Sequence, residues 1–195
     1  MIYLLQGHIW NATSGLFNSF SLRLRIEVIM GKEIERKFLV NDYSYRLLTT
    51  GILYRQGYIS TDPEKVIRVR IVGNGGYLTL KGLSKGAVRS EFEYEIPLSD
   101  AQELISLMCI GPIIEKTRYT MEYEGMTWEI DEFTGDNEGL CIAEIELESE
   151  DQAFLLPPWA GREVTHDPRY YNANLVNAPY KTWADEAYAE ERKTL

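Results

Sequence analysis

The chain has 195 residues, room for one domain with appendages. At 45% hydrophobic and 26% charged, with a formal net charge of -10, it is no disordered chain and no general binder of nucleic acid or anionic membranes. Cys109 and Cys141, like His8 and His166, stand isolated, which excludes a zinc pattern or disulfide framework and predicts idle thiols in a cytoplasmic protein.

Residues 1–30 read as a leader. They lack a basic start, an unbroken apolar core and a small-residue cleavage site, so a signal peptide fits badly. No stretch is long enough to span a membrane. Met30 lies just before the first charged strand. We read it as the first residue of the working protein, preceded by an upstream-extended start; the alternative is a short element packed on the domain. The main domain then covers 31–178, and a helical tail 179–195.

Glu33 to Val40 reads as a strand. Alternation puts Glu33, Glu35 and Lys37 on one face and Ile34, Arg36 and Phe38 on the other. Asn41-Asp42 breaks it, and 43–49 read as a short helix or loop. Residues 52–60 form a second strand, closed by the turn Thr61-Asp62-Pro63. Residues 66–72 alternate cleanly, with Arg68 and Arg70 together. Gly73-Asn74-Gly75-Gly76 is a hairpin signal. The return strand, Tyr77 to Lys81, places Thr79 and Lys81 on one face.

Arg89 to Ile96 alternates again, with Arg89, Glu91, Glu93 and Glu95 opposite Phe92, Tyr94 and Ile96. A helix is expected from Ser99, its N-cap, to about Met108. Strands at about 115–123 and 126–133 turn at Glu124-Gly125. They carry Lys116 and Arg118, then Glu129 and Asp131. Residues 140–148 form another strand, with Glu144, Glu146 and Glu148 alternating with Ala143, Ile145 and Leu147. A short helix is expected to end at Pro157-Pro158-Trp159, and a helical turn over 168–176. Tyr180, Trp183, Ala184, Ala187 and Tyr188 keep helical spacing.

The charged pairs recur at i, i+2 along the chain. They gather the acids Glu33, Glu35, Glu91, Glu93, Asp131, Glu144 and Glu146. The matching bases are Lys37, Arg68, Arg70, Lys81, Arg89, Lys116 and Arg118. A half-wet antiparallel sheet also alternates, but it does not explain why some strands carry only acids and others only bases. If such a sheet closes with its charges inward, acidic strands offer metal ligands and basic strands offer phosphate clamps. Mutual pairing, water and a bound metal-phosphate offset the cost of burying those charges.

Glu33-Ile34-Glu35-Arg36-Lys37 resembles the ExExK signature of the CYTH superfamily, the triphosphate tunnel metalloenzymes. The resemblance continues in order through Arg68-Val69-Arg70, Thr79-Leu80-Lys81, Arg89-Ser90-Glu91-Phe92-Glu93, Glu115-Lys116-Thr117-Arg118-Tyr119, Glu129-Ile130-Asp131 and Glu144-Ile145-Glu146. It covers about residues 31–176. The segment Glu163 to Asn172 also resembles the short bacterial members, although Tyr171 and Ala173 stand where lysines are expected.

The resemblance implies an α+β, mainly β fold: an eight-stranded antiparallel barrel, open as a tunnel, with helices packed outside. It implies a small triphosphate substrate, cleaved with Mg2+ or Mn2+. Glu33, Glu35, Glu144, Glu146 and Asp131 are then expected on the metal side. Lys37, Arg68, Arg70, Lys81, Arg89, Lys116 and Arg118 are expected on the phosphates. Glu91 and Glu93 are expected in support, and Glu35, Lys37, Arg68 and Lys116 to carry catalysis. Glu95, Glu129 and Glu148 are read as solvated strand-end charges, and Trp128, Trp159 and Trp183 as packing. A metal-dependent triphosphatase acting on inorganic tripolyphosphate or a similar small triphosphate is the leading expectation. A class IV-type adenylate cyclase or thiamine triphosphatase, and a non-catalytic polyphosphate- or nucleotide-binding module, are the alternatives.

Overall fold

The computed structural model describes residues 34–83 and 90–187. Glu33, Arg89, Tyr188 and the whole leader lie outside them. The strands are β1 (Ile34–Val40), β2 (Ile52–Ser60), β3 (Lys65–Val72), β4 (Gly75–Gly82), β5 (Glu91–Ile96), β6 (Ile110–Tyr123), β7 (Met126–Phe133), β8 (Cys141–Leu147) and β9 (Ala160–Glu163). Among the described residues the helices are α1 (Leu98–Leu107) and α2 (Asn172–Leu175), with helical backbone again at 184–187 and short 3-10 turns between elements. No helix among the described residues is long and apolar enough to cross a membrane.

All nine strands form one antiparallel sheet in the order β5-β4-β3-β2-β6-β7-β8-β1-β9. The mainly β class is as expected; the closed eight-stranded barrel is corrected. The sheet curls into a tunnel-like trough and does not close: among the described residues β5 bonds only β4 and β9 bonds only β1. The ninth strand, Ala-Gly-Arg-Glu, is short and bulged against β1, a form that blunts an exposed edge.

Local corrections have local causes. Pro97 takes the cap position of α1, while Ser99 sits in the first turn and donates to Asp100 Oδ1 at 3.1 Å. No helix precedes Trp159. Two consecutive prolines remove helical donors there, and a turn from Pro157 to Ala160 leads straight into β9. β6 starts earlier than expected, because Gly111 at φ +66 bends the strand instead of ending it. A Cβ at Gly111 would also come within 2.7 Å of Val176 Cγ1.

The convex face carries most of the apolar core, although Leu53, Leu80 and Phe92 on it stay exposed. α1 packs Ala101 and Ile105 on Val69 and Ile71, and Tyr45 and Trp159 join Phe38, Trp128, Ile130, Ala143 and Ile145. The expectation that helices lie outside holds for α1 and fails for α2. Tyr58, Val66, Ile114, Phe133 and Ile142 share the face of the charged side chains by alternation. At one end of that face they pack with Tyr170, Leu175, Val176, Tyr180 and Trp183. The C-terminal segment therefore plugs the trough at one end, with Trp183 edge-on to both Tyr170 and Tyr180. Replacing Trp183 by alanine should cost about 3 kcal/mol or more and lower the melting temperature by roughly 6–12 °C. An unchanged thermal melt would show that this segment is not part of the core.

Candidate active site

Above the plug, the concave face is lined by charge. On β1 and β8, Lys37 is the register partner of Glu144, and Glu35 of Glu146. The Lys37 ammonium lies 2.5 Å from both Glu35 Oε2 and Glu144 Oε1. Burial and the neighbouring Glu144 charge push the Glu35 carboxyl up to about 7, against the pull of Lys37. Burial would also raise Glu144, but Lys37, Lys116 and Arg118 hold it far below the usual carboxylate range. Lys37 is raised, because Glu144 and Glu35 outweigh the opposing effect of burial.

On β6 and β7, Asp131 is wholly buried and ion-paired to Lys116, itself 2% exposed. Arg118 forks onto the same carboxylate, with Nε 2.7 Å from Oδ1 and Nη2 2.6 Å from Oδ2. It also reaches Glu129, and Glu144 at 3.0 Å. Burial lowers Lys116 despite Asp131, whereas Arg118 is raised, its acids outweighing burial.

On β3, β4 and β5, Glu93 gathers the second basic pair. Arg70 Nη2 lies 3.0 Å from both its oxygens, Arg68 Nη2 lies 3.4 Å from Oε2, and the buried Thr79 hydroxyl donates at 2.7 Å. Lys81 pairs with Glu91 at 2.7 Å. Burial, with Arg68 alongside, lowers Arg70. Both Arg68 Nε and Arg70 Nε are buried without a partner among the described residues. A buried donor left unsatisfied is costly, so these two ask for an acceptor that the described residues do not supply.

The structure thus brings Glu35, Lys37, Arg68, Arg70, Lys81, Glu91, Glu93, Lys116, Arg118, Asp131, Glu144 and Glu146 onto one face. Both oxygens of Asp131 are turned to Lys116 and Arg118 rather than to open space. Glu95 and Glu148 are exposed, as expected of strand ends. Glu129, expected as a solvated strand-end charge, is 40% exposed and also pairs with Arg118. Tyr171, in place of a lysine, donates to the Thr165 carbonyl at 3.0 Å. Sequence reasoning missed Tyr54, Gln56 and Tyr58 on this face. Their i, i+2 spacing on β2 was the available signal, but they carry no charge.

The donors suit a hard divalent cation, being carboxylate oxygens. Glu35 opposes Glu146 directly across β1 and β8, and Glu129 opposes Glu144 across β7 and β8. Like charges so opposed destabilise a sheet unless a cation comes between them. No cage of three or more ligating residues is preformed among the described residues, the acids being turned to the lysines and arginines. The residues at the Glu35–Glu144–Glu146 end therefore fit a divalent metal that displaces such pairing.

Comparison with known proteins agrees with this geometry. The CYTH domain model matches residues 31–177. An inorganic triphosphatase of Acetivibrio thermocellus is 56% identical over 156 residues, covering 80% of this chain and 100% of the relative. An inorganic triphosphatase of Nitrosomonas europaea is 41% identical over 149 residues, covering 74% and 96%. A crystal structure of an inorganic triphosphatase superposes with a TM-score of 0.56 at 38% identity, covering 74% of this chain and 93% of that one.

Proposed function

This chain belongs to the CYTH domain family, and on that premise we propose that it is an inorganic triphosphatase, hydrolysing tripolyphosphate to pyrophosphate and orthophosphate. The observation that carries the reading is the pair of buried, unpartnered guanidinium Nε donors of Arg68 and Arg70, set among further bases on one concave face. That arrangement meets a polyanion with several phosphate groups, and arginine can meet each one bidentately.

Triphosphatases of this family are metal-dependent. We assign Glu35, Glu144 and Glu146, with Glu33, to hold Mg2+ or Mn2+, which supplies charge neutralisation and a site for activated water. Lys37, Arg68, Arg70, Lys81, Lys116 and Arg118, with Arg89, hold the phosphate oxygens. They stabilise the charge that moves onto the leaving pyrophosphate, since phosphoryl transfer needs alignment and electrostatics more than a covalent nucleophile. Glu91 steadies Lys81, Glu93 steadies Arg68 and Arg70, and Asp131 steadies Lys116 and Arg118. The apolar plug closes off one end of the trough. A cytoplasmic location fits the free thiols Cys109 and Cys141.

The test is product analysis of the full chain with inorganic tripolyphosphate, ATP and thiamine triphosphate, with and without divalent metal. Metal-dependent orthophosphate release, highest from tripolyphosphate and without cyclic AMP, is expected. Cyclic AMP from ATP would favour the cyclase reading. Binding without turnover would favour a non-catalytic module.

A further inference from the structure

We propose that Tyr54 is a positioning residue of this site: its ring gathers the phosphate-binding cations from two strands without itself taking up any of their hydrogen-bond donors. This rests on the triphosphatase reading above. Tyr54 lies on β2 beside both β3 and β6, as register partner of Val72 on one side and Lys116 on the other. Alternation turns it to the concave face with Gln56 and Tyr58.

Three cations approach this one ring. The guanidinium carbon of Arg118 lies 5.2 Å from its centroid, that of Arg70 5.7 Å, and the Lys116 ammonium 5.8 Å. All are within the range at which the ring quadrupole attracts a cation. Arg70 sits near a second ring as well, 5.8 Å from the centroid of Tyr77. The Tyr54 hydroxyl makes no hydrogen bond among the described residues, so the ring, not the phenol, accounts for the placement.

The need for such a ring follows from charge. The Arg118 charge acts unfavourably on both Arg70 and Lys116. Left alone, these groups would spread apart. Carboxylates can hold them together, but each carboxylate occupies N–H donors that a phosphate oxygen would use. Arg118 already commits donors to Glu129, Asp131 and Glu144. An aromatic face offsets the repulsion through the flat side of the guanidinium and leaves its edge free. Tyr54 is partly buried, which strengthens that attraction relative to a surface site.

The experiment compares Tyr54→Phe and Tyr54→Leu with the wild-type chain, using inorganic tripolyphosphate and magnesium. Leucine keeps an apolar side chain and removes the π face; phenylalanine keeps the face and removes the hydroxyl. The expected result is a fall in kcat/KM of at least about tenfold for Tyr54→Leu, with Tyr54→Phe within about threefold of wild type and similar thermal melts for all. Unchanged kinetics in Tyr54→Leu would overturn the proposal. Equal losses in both variants would move the role to the hydroxyl and overturn it too. If Tyr54→Leu melts early, calorimetric titration with inorganic pyrophosphate below its transition decides: unaltered affinity counts against the ring. That titration also reads the proposal if the wild-type chain proves to lack triphosphatase activity. Weaker pyrophosphate binding by Tyr54→Leu alone would then sustain the ring's role in anion binding while the hydrolytic reading fails.

Discussion

Chelation with EDTA is expected to lower phosphate release by more than about a hundredfold, and added magnesium or manganese to restore it. The reason lies in the pairing on the concave face. Lys37 is matched by Glu35 and Glu144, Arg68 and Arg70 by Glu93, Lys81 by Glu91, and Lys116 by Asp131. Arg118 is shared among three acids. The site is largely neutralised before substrate arrives. A triphosphate adds about four negative charges at neutral pH. Those charges are stable there only if a divalent cation takes over some of the acids and frees the bases. Glu35→Gln and Glu146→Gln keep the shape and remove one charge, so each should raise the metal concentration needed for half-maximal rate. Full turnover in metal-free buffer would remove the acidic strands from the mechanism.

The second large effect belongs to the arginines. Arg68→Ala should lower kcat by at least tenfold, and nearer a hundredfold, with little change in the melting temperature. Its Nε is a buried donor with no acceptor among the described residues, so the side chain contributes less to the folded state than to a bound anion. Arg68→Lys should rescue only partly, since a point charge lacks the planar fork. Lys116 differs. It is buried against a carboxylate that is itself inaccessible, so alanine there leaves Asp131 to Arg118 alone and should cost stability along with rate. Normal kinetics in Arg68→Ala would place it outside the site.

Much of this was legible in the sequence, because alternation is a strict rule of strands. The pairs at 68/70, 116/118 and 144/146 lie on the concave face where their spacing put them. What alternation does not encode is which strands neighbour one another. The convergence of Glu129, Asp131 and Glu144 on Arg118 depends on the order β6-β7-β8, and so was hidden. The open edges at β5 and β9 were hidden for the same reason. β9 has too few residues and too little apolar character to register as a strand. The ring of Tyr54 carries no charge signal of its own in the sequence; the cations beside it come from other strands. The C-terminal segment showed its helical spacing through Tyr180 and Trp183. Its place at the end of the charged face follows from tertiary packing alone.

The most direct test follows tripolyphosphate hydrolysis by phosphorus NMR, with magnesium present, for the wild-type chain and Arg68→Ala side by side. The account predicts equal amounts of pyrophosphate and orthophosphate appearing together with the wild-type chain, and at least tenfold slower with the folded variant. No cleavage by the wild-type chain, or cleavage at an equal rate by the variant, would contradict it.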